Sequence, residues 1–164
     1  MSATALEIRP VNWLKSDESH AVVEVLNSYA SQSVGGGVPL SPEVRANLCA
    51  ELAKRAQAIV LLAWVGSQPV GLAIAFEGFS TFACRPLINI HDLAVLPKFQ
   101  CRGVGKALMA ALETEARRRG CCKITLEVLE NNQHALKLYE SVGFISYQLN
   151  PTIGRALFFE KKLV

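Results

Sequence analysis

Hydrophobic and polar positions alternate along this 164-residue chain with two spacings, and the spacing changes at glycines, prolines and helix-capping residues. A spacing of two predicts strands, and a spacing of three to four predicts helices. The elements follow in the order β-α-α-β-β-β-α-β-α-β-β. The predicted strands are Leu6–Val11, Ala58–Val65, Val70–Phe76, Leu87–Val95, Lys123–Leu129, Phe144–Gln148 and Ala156–Lys161. The predicted helices are Ser16–Ser31, Ser41 to Lys54 or Arg55, Val104–Arg119 and Asn132–Val142.

The connections between these elements predict how the strands pair. Gly66–Pro69 separates two short apolar runs and predicts an antiparallel hairpin, whereas strands and helices that alternate after Leu87 predict a parallel pair. Gly78–Pro86 is predicted to be a loop. No linker divides the chain, and its length suits one hydrophobic core. We therefore expect a single domain over residues 1–164 of class α/β (α+β), with a mixed, mostly antiparallel sheet of about seven strands flanked by about four helices.

Composition and charge exclude nucleic acid as the expected partner. Hydrophobic residues make up 51% of the chain and charged residues 19%, which is typical of a packed globular protein. The net charge is only +3. The longest basic run, Arg117–Arg119, lies at the predicted end of a helix, where cations are favourable without any ligand. A nucleic-acid interface would concentrate more positive charge on one face.

Cysteines, histidines and apolar runs indicate a cytoplasmic protein without a metal ion or a membrane anchor. The five cysteines are odd in number and form no C-x-x-C pair, and the three histidines have no zinc-type spacing. The first residues contain no apolar region typical of a signal peptide. The longest apolar run, Ala58–Val65, is far shorter than the roughly 20 residues that span a bilayer.

The predicted helix Val104–Arg119 begins differently from the helices that start at Ser16 and Ser41. Those two carry acids in their first turn, as the positive end of a helix favours. The third is preceded by Gln100–Lys106, with the sequence QCRGVGK, and no acid follows before Glu113. Cations at this end cost about 0.3–1 kcal/mol each unless an anion binds there. Because the two glycines of the segment let backbone amides approach a phosphate, it predicts a pyrophosphate-binding loop.

Two other phosphate-binding motifs do not fit this segment. A Walker loop requires a glycine where Gln100 lies and a serine or threonine where Ala107 lies, and a Rossmann fingerprint requires a glycine in place of Leu108. This segment alone leaves one alternative to a phosphate-binding loop, namely an ordinary tight turn between strand and helix in which the glycines serve packing.

Three segments in the correct order carry a family resemblance. Gln100-x-x-Gly103-x-Gly105 resembles the [QR]-x-x-G-x-[GA] signature of the GCN5-related N-acetyltransferases, the GNAT family, and His91–Val95 resembles the strand that binds their cofactor. The second family signature is similar to Leu126-Glu127-Val128, Asn132-x-x-Ala135, Leu138-Tyr139 and Gly143-Phe144. The resemblance covers Leu87–Phe144, and the first half of the chain matches only in its order of elements.

The resemblance implies the acyl-CoA N-acyltransferase fold, with acetyl-CoA as cosubstrate and no metal ion. The strand that ends at Val95 would splay from the next strand, Lys123–Leu129, and form with it a central parallel pair whose gap takes the pantetheine arm. The residues expected to bind the cofactor are Leu93, Ala94, Val95, Gln100, Cys101, Arg102, Gly103, Val104, Gly105, Lys106, Asn132 and Ala135. Asn132 would contact the pantetheine, cap a helix, or do both.

The same resemblance implies direct attack of a neutral amine on the thioester in a ternary complex. Tyr139 would be the general acid that protonates the leaving thiolate. The general base stays open, because Asn89 lies where a well-studied branch of the family has a glutamate. His91, Asp92 and Glu127 are the candidates on neighbouring strands, of which His91 and Glu127 are retained, and a water molecule could also relay the proton. Strict alternation along the strand predicts that His91 and Asp92 face opposite sides of the sheet.

The predicted function is therefore N-acetylation of a primary amine of a small molecule or a peptide. Because the glutamate is missing, a CoA-binding sensor or regulatory module without turnover is the alternative. The segments Ser31–Arg55 and Gly78–Pro86 are expected to select the acceptor. Exposed closing strands would be available for a homodimer.

Overall fold

The strands of the computed structural model form one mixed sheet, and the structure describes residues 5–147, 152 and 156–163. The strands are β1 (Leu6–Pro10), β2 (Ala58–Val65), β3 (Gln68–Ser80), β4 (Arg85–Val95) and β5 (Ile124–Leu126). The helices are α1 (Ser16–Ala30), α2 (Pro42–Ala53), α3 (Val104–Arg118) and α4 (Gln133–Ser141), and short 3₁₀ turns occur at Ser33–Gly35 and Pro97–Phe99. These bounds agree with most of the predicted elements.

The sheet has the order β1-β2-β3-β4-β5. The first three pairs are antiparallel, and β4 and β5 are parallel, joined by α3 as the crossover. The alternation of strands and helices after Leu87 had predicted this parallel pair, and the prediction is confirmed. In the described part of the chain the pair lies at one edge of the sheet and not at its centre.

Two hydrophobic cores cover the two faces of the sheet. On one face, which we call the α3 face, Leu108 and Leu112 of α3 are fully buried against the strands. On the opposite face, the α1 face, Val22 and Val25 of α1 pack against Leu72 and its neighbours. Each such side chain contributes roughly 1.5–3 kcal/mol to folding. The helices therefore hold the sheet rigidly from both sides.

The prediction of about seven strands is wrong for the described residues, which contain five. Residues 144–147 and 156–161, where the two closing strands were predicted, have no regular structure, and Gln148 lies outside the described residues. Apart from Phe144, which packs against the core of the α3 face, their apolar side chains face solvent: Ile145 is 90% exposed and Phe159 is 82% exposed. Alternation predicts a strand only if one set of side chains is buried, and here neither set is.

The predicted loop Gly78–Pro86 is instead the tip of a long hairpin. Strand β3 continues to Ser80, β4 begins at Arg85, and Phe79 pairs with Pro86. Contacts with the end of α3, distant in sequence, hold this extension in place. The Arg119 guanidinium lies 2.8 Å from the Glu77 carboxylate, and Arg85 donates to the Gly120 carbonyl at 2.9 Å.

A β-bulge in β4 changes which residues share a face. Ile74 pairs with Asp92 and the next residue of β3, Ala75, pairs with Ile90, so that His91 has no partner. Paired residues share a face of the sheet. Asp92 therefore lies on the α1 face with Ile74, and Ile90 lies on the α3 face with Ala75. The His91 ring contacts Phe76 edge-on at 4.9 Å, also on the α1 face.

The prediction that His91 and Asp92 face opposite sides of the sheet is therefore wrong. An extra residue at a bulge interrupts the strict alternation of side chains. Both residues lie on the face that carries α1.

Candidate active site

The turn before α3 brings a row of backbone N–H groups together. Cys101 and Gly103 both have left-handed backbone conformations, with φ of 58° and 82°. Among the residues that the structure describes, the amides of Cys101–Lys106 donate to no acceptor, and the first closed bond of the helix runs from Ala107 to Gly103 at 3.0 Å. A helix start with free amides and no acid in its first turn is a concave anion-binding site.

The two glycines of this turn are required for different reasons. A Cβ atom on Gly103 would meet nothing within 4 Å, but the positive φ there strains any other residue. A Cβ atom on Gly105 would lie 2.9 Å from Cδ2 of Leu138. Gly105 therefore allows α3 to approach α4. Packing explains the glycine at position 105, and the shape of the turn explains the glycine at position 103.

Strands β4 and β5 separate just beyond their short pairing. They pair only where Ile88–Ile90 faces Ile124–Leu126, whereas β4 continues to Val95. The backbone of the last residues of β4 therefore has no strand beside it on that side within the described chain. Gln100 donates from Nε2 to the Val95 carbonyl at 3.2 Å and fixes the turn to the end of this strand.

A cavity of about 700 Å³ joins the amide turn to this gap. Its volume lies within the usual range for small-molecule sites. Ten of the twelve residues expected to bind a cofactor line it: Leu93, Val95, Gln100, Cys101, Gly103, Val104, Gly105, Lys106, Asn132 and Ala135. The structure thus brings most of the predicted set into one place.

The other two residues of the predicted set are outside the cavity lining. The Ala94 side chain is 1% exposed and packs into the core on the α1 face, so only its backbone is near the gap. The Arg102 guanidinium lies over the ring of Phe99, a lining residue, 5.7 Å from its centroid, but Arg102 itself does not line the cavity.

Sequence reasoning missed one wall of the cavity, which comes from the end of α1 and the turn after it. Tyr29, Gln32 and Val34 line the cavity opposite the start of α3. The Tyr29 hydroxyl donates to the Val34 carbonyl at 3.3 Å, and Gln32 Oε1 lies 3.5 Å from Gln100 Nε2. No local motif marks these residues, because only the packing of α1 on the sheet brings them here.

Tyr139 of α4 also lines the cavity. Its ring is half-buried, 6.0 Å from the ring of Phe144. Burial raises the pKa of its phenol above the usual 10, and the nearby Tyr29 raises it further. Tyr139 is therefore protonated at neutral pH and can donate a proton.

Asn132 has the capping role that its sequence position predicts. Its Oδ1 accepts a hydrogen bond from the amide of Ala135 at 3.1 Å, at the start of α4. Because it also lines the cavity, its amide nitrogen is left for a ligand.

The two candidate bases lie away from this cavity lining. Glu127 Oε1 is 3.5 Å from Asn89 Nδ2, which also donates to Thr125 Oγ1 at 3.0 Å. Since Asn89 pairs with Phe76, this group lies on the α1 face, as His91 does. The structure thus places Tyr139 in the cavity and the candidate bases on the α1 face of the sheet.

The described residues show neither a cluster of metal ligands nor a membrane-spanning helix. No three histidine, cysteine, aspartate or glutamate side chains there come close enough to hold a metal ion. None of the helices in the same residues is both long and apolar enough to cross a membrane.

Comparison with known sequences gives a family match and several relatives. The model of the acetyltransferase (GNAT) family matches residues 21–144. A thialysine N-epsilon-acetyltransferase of Caenorhabditis elegans is 28% identical over 85 residues, 52% of each chain. A [ribosomal protein bS18]-alanine N-acetyltransferase of Haemophilus ducreyi is 42% identical over 64 residues, 37% of this chain and 44% of that one. The matches thus span about half the length of these relatives.

Solved structures share the fold. An aminoglycoside acetyltransferase from an uncultured soil metagenomic sample, in complex with sisomicin, superposes with a TM-score of 0.78 at 18% identity, covering 97% of both chains. A ribosomal-protein-alanine N-acetyltransferase from Brucella melitensis gives 0.68 at 21% identity, covering 89% of this chain and 99% of that one. At such identities the likeness shows the architecture alone.

Proposed function

This chain belongs to the acetyltransferase (GNAT) family, and from that premise we propose that it transfers the acetyl group of acetyl-CoA to a primary amine of a small molecule or a peptide. The proposal treats residues 1–164 as one N-acetyltransferase domain. Its acceptor is proposed only as a class.

The observation that carries the proposal is the row of free amides that opens into the cavity. Six consecutive N–H groups, from Cys101 to Lys106, have no acceptor among the described residues. A pyrophosphate would give these donors acceptors and would also neutralise Lys106. The cavity continues from there to the gap beside Leu93 and Val95, as an elongated cosubstrate with a phosphate end and a thioester end requires.

The proposed chemistry is direct attack of the amine on the thioester carbonyl. The free backbone near Leu93 and Ala94 would donate to the oxygen on which negative charge develops. Tyr139 would give its proton to the sulfur as the carbon–sulfur bond breaks. The raised pKa of Tyr139 makes it a weaker acid, but a thiolate in the same buried cavity is also a stronger base than in water.

For the proton of the amine, the family resemblance assigns no residue of this chain, and His91 and Glu127 are the candidates retained from the sequence. Both lie on the α1 face, and neither lines the cavity. An acceptor that approaches from the α1 face would meet the thioester at the gap between β4 and β5. Donor and acceptor would then enter from opposite sides of the sheet.

The relatives support a primary amine as the acceptor. By their names, one acts on the side-chain amine of thialysine and the other on the alanine of a ribosomal protein. Both are amines, one of a small molecule and one of a peptide chain. The proposed class covers both and chooses neither.

Two measurements test the proposal. Calorimetric titration with coenzyme A should show a 1:1 complex, and release of free thiol from acetyl-CoA should depend on an added amine such as thialysine or a peptide that begins with alanine. Absence of any coenzyme A binding would refute the proposal. Tight binding without thiol release for any amine would instead support the regulatory module.

A further inference from the structure

The carboxyl group of Asp92 has no partner among the described residues, although its side chain is partly withdrawn from solvent. Asp92 lies on β4 directly after the bulge, on the α1 face, and its side chain is half-buried. No hydrogen bond or ion pair connects it to any residue that the structure describes. This distinguishes it from Glu18, which is fully buried but accepts a hydrogen bond from the Asn12 amide at 2.8 Å and pairs with Arg9 at 2.6 Å.

Such a carboxyl group is costly to keep ionised without a partner. Burial raises the pKa of Asp92, and only the nearby His91 opposes that shift. No lysine or arginine of the described chain acts on it. A ligand that brings an N–H group or a positive charge would remove this cost.

The residues around Asp92 relate it to the cavity. Tyr29 of α1 packs on the same core as Ile74, the strand partner of Asp92, and Ala94. Burial raises the pKa of Tyr29, and the Asp92 charge raises it further. Tyr29 in turn raises the pKa of Tyr139 on α4. Glu127, directly after β5, lies on the same face, beside Asn89. Asp92 is therefore near the cavity wall that Tyr29 forms, on the side from which we propose that the acceptor enters.

We propose that Asp92, rather than His91 or Glu127, takes the proton of the acceptor amine. This assignment rests on the proposed function. As the carbon–nitrogen bond forms, the Asp92 carboxylate accepts one proton from the nitrogen. As the carbon–sulfur bond breaks, the Tyr139 hydroxyl gives one proton to the sulfur. Transfer of the proton from Asp92 to the Tyr139 phenolate through water restores both groups, so no other reactant is needed.

The bulge at His91 makes this assignment possible. Without the extra residue, strict alternation would turn Asp92 towards the α3 face if His91 kept its contact with Phe76. The bulge keeps both residues on the α1 face. The position that carries a carboxylate in the related branch is Asn89 here, and a carboxylate three residues later supplies the same chemistry.

The test compares Asp92→Asn with His91→Gln, Glu127→Gln and a matched control, Asp17→Asn, which removes an exposed aspartate from the first turn of α1. Acetylation of thialysine and of a peptide that begins with alanine is followed by thiol release. Asp92→Asn should lower kcat about 100-fold, the lower end of the usual contribution of a general base. Its affinity for coenzyme A, measured by calorimetry, should change less than about twofold, and Asp17→Asn should behave as wild type.

The pH dependence separates a proton acceptor from a structural residue. Both the Asp92 carboxyl group and the acceptor amine must be deprotonated for the reaction. Below the pKa of Asp92, wild-type kcat/KM should therefore fall with the square of the proton concentration. Asp92→Asn should keep only the dependence that comes from the acceptor amine. Loss of one dependence in His91→Gln or Glu127→Gln, with wild-type behaviour in Asp92→Asn, would overturn the assignment and leave the proposed function intact. If the wild type binds coenzyme A but releases no thiol with any amine, the proposed function fails and this assignment fails with it.

Discussion

The two helices α1 and α3 are each fifteen residues long and pack on opposite faces of one sheet, yet their first turns are built in opposite ways. The first turn of α1 carries Asp17 and Glu18, and the Glu18 carboxylate is fully buried there. The first turn of α3 carries no acid, starts from a left-handed Gly103, and leaves six successive amides without acceptors among the described residues.

The difference indicates where each helix obtains its negative charge. The positive end of α1 is satisfied from within the chain, because Glu18 also accepts from the Asn12 amide and pairs with Arg9. The positive end of α3 has no such group, so an anion that stabilised it would have to come from a ligand. A helix start that is incomplete in this way indicates a binding site, whereas one completed by its own side chains indicates a structural role.

The largest effect is expected from changing the shape of the turn before α3. Gly103→Val should weaken coenzyme A binding more than about 100-fold, or about 2.7 kcal/mol. The branched side chain opposes the positive φ that points the amides inward, and its bulk would occupy the space of the phosphate. Calorimetric titration measures this loss.

Gly120→Val is the matched control, because Gly120 also has a positive φ and open space around its missing Cβ atom, but lies at the other end of α3. It should suffer similar backbone strain and bind coenzyme A as the wild type does. Equal loss in both variants would show that general strain, not the amide turn, governs binding.

Changing Tyr139 should separate binding at α3 from the chemistry. Tyr139→Phe should lower kcat about 100-fold while the dissociation constant of coenzyme A stays within about twofold. Because the pKa of Tyr139 is raised and its protonated form is the active one, wild-type kcat should fall only as the pH rises above the usual tyrosine value of about 10. Steady-state rates across this range measure both effects, and a variant as active as the wild type would remove the acid role.

At the start of α1 the effect should fall on stability and not on binding. Glu18→Ala leaves the Asn12 amide unsatisfied and Arg9 without its main partner, so the free energy of unfolding should fall by about 2 kcal/mol, less than for a fully buried pair because Arg9 is partly exposed. Burial alone would raise the pKa of Glu18, but the hydrogen bonds from Asn12 and Arg9 lower it overall.

The lowered pKa of Glu18 fixes the sign of the pH dependence. Its contribution is present above the ordinary carboxyl pKa and is lost as the pH falls through the lowered one, so wild type and variant should converge in acid. Urea unfolding at several pH values measures this difference. The exposed neighbour, in Asp17→Ala, should cost less than about 1 kcal/mol, and a difference between wild type and Glu18→Ala that persists in acid would contradict the ion pair.

The start of α3 could be predicted from sequence because its signal is local. Seven consecutive residues, Gln100–Lys106, break the electrostatic pattern that the starts of α1 and α2 follow, and the structure brings most of them to one cavity. The parallel pairing was predictable for a similar reason, since a strand, a helix and another strand in succession leave few arrangements.

The parts that sequence did not predict depend on contacts between distant residues. The bulge at His91 is set by how β3 and β4 pair, and the wall at Tyr29 by how α1 packs on the sheet. The hairpin extends past Gly78 because Arg85 and Arg119 bind groups far along the chain. The prediction of two closing strands was wrong because alternation of apolar and polar residues shows only that a strand could have an apolar face. It does not show whether another part of the protein buries that face.

The smallest expected effect is that of Lys106→Glu. It tests the comparison of α3 with α1 most sharply, because the variant should be more stable than the wild type but should bind coenzyme A more weakly. Lys106→Glu places an acid in the first turn of α3 and makes it resemble α1. Without ligand, the free energy of unfolding should rise by about 0.5 kcal/mol, since a carboxylate favours the positive helix end. Coenzyme A should bind about fivefold more weakly at low salt, and the difference should shrink as salt screens the exposed charge.

Lys137→Glu supplies the control, because Lys137 also lines the cavity and is exposed but lies inside α4. The same charge reversal there should weaken binding without stabilising the free protein. If Lys106→Glu instead destabilises the free protein, its cation is already satisfied within the chain. The start of α3 would then not be incomplete, and its difference from α1 would lose its functional meaning.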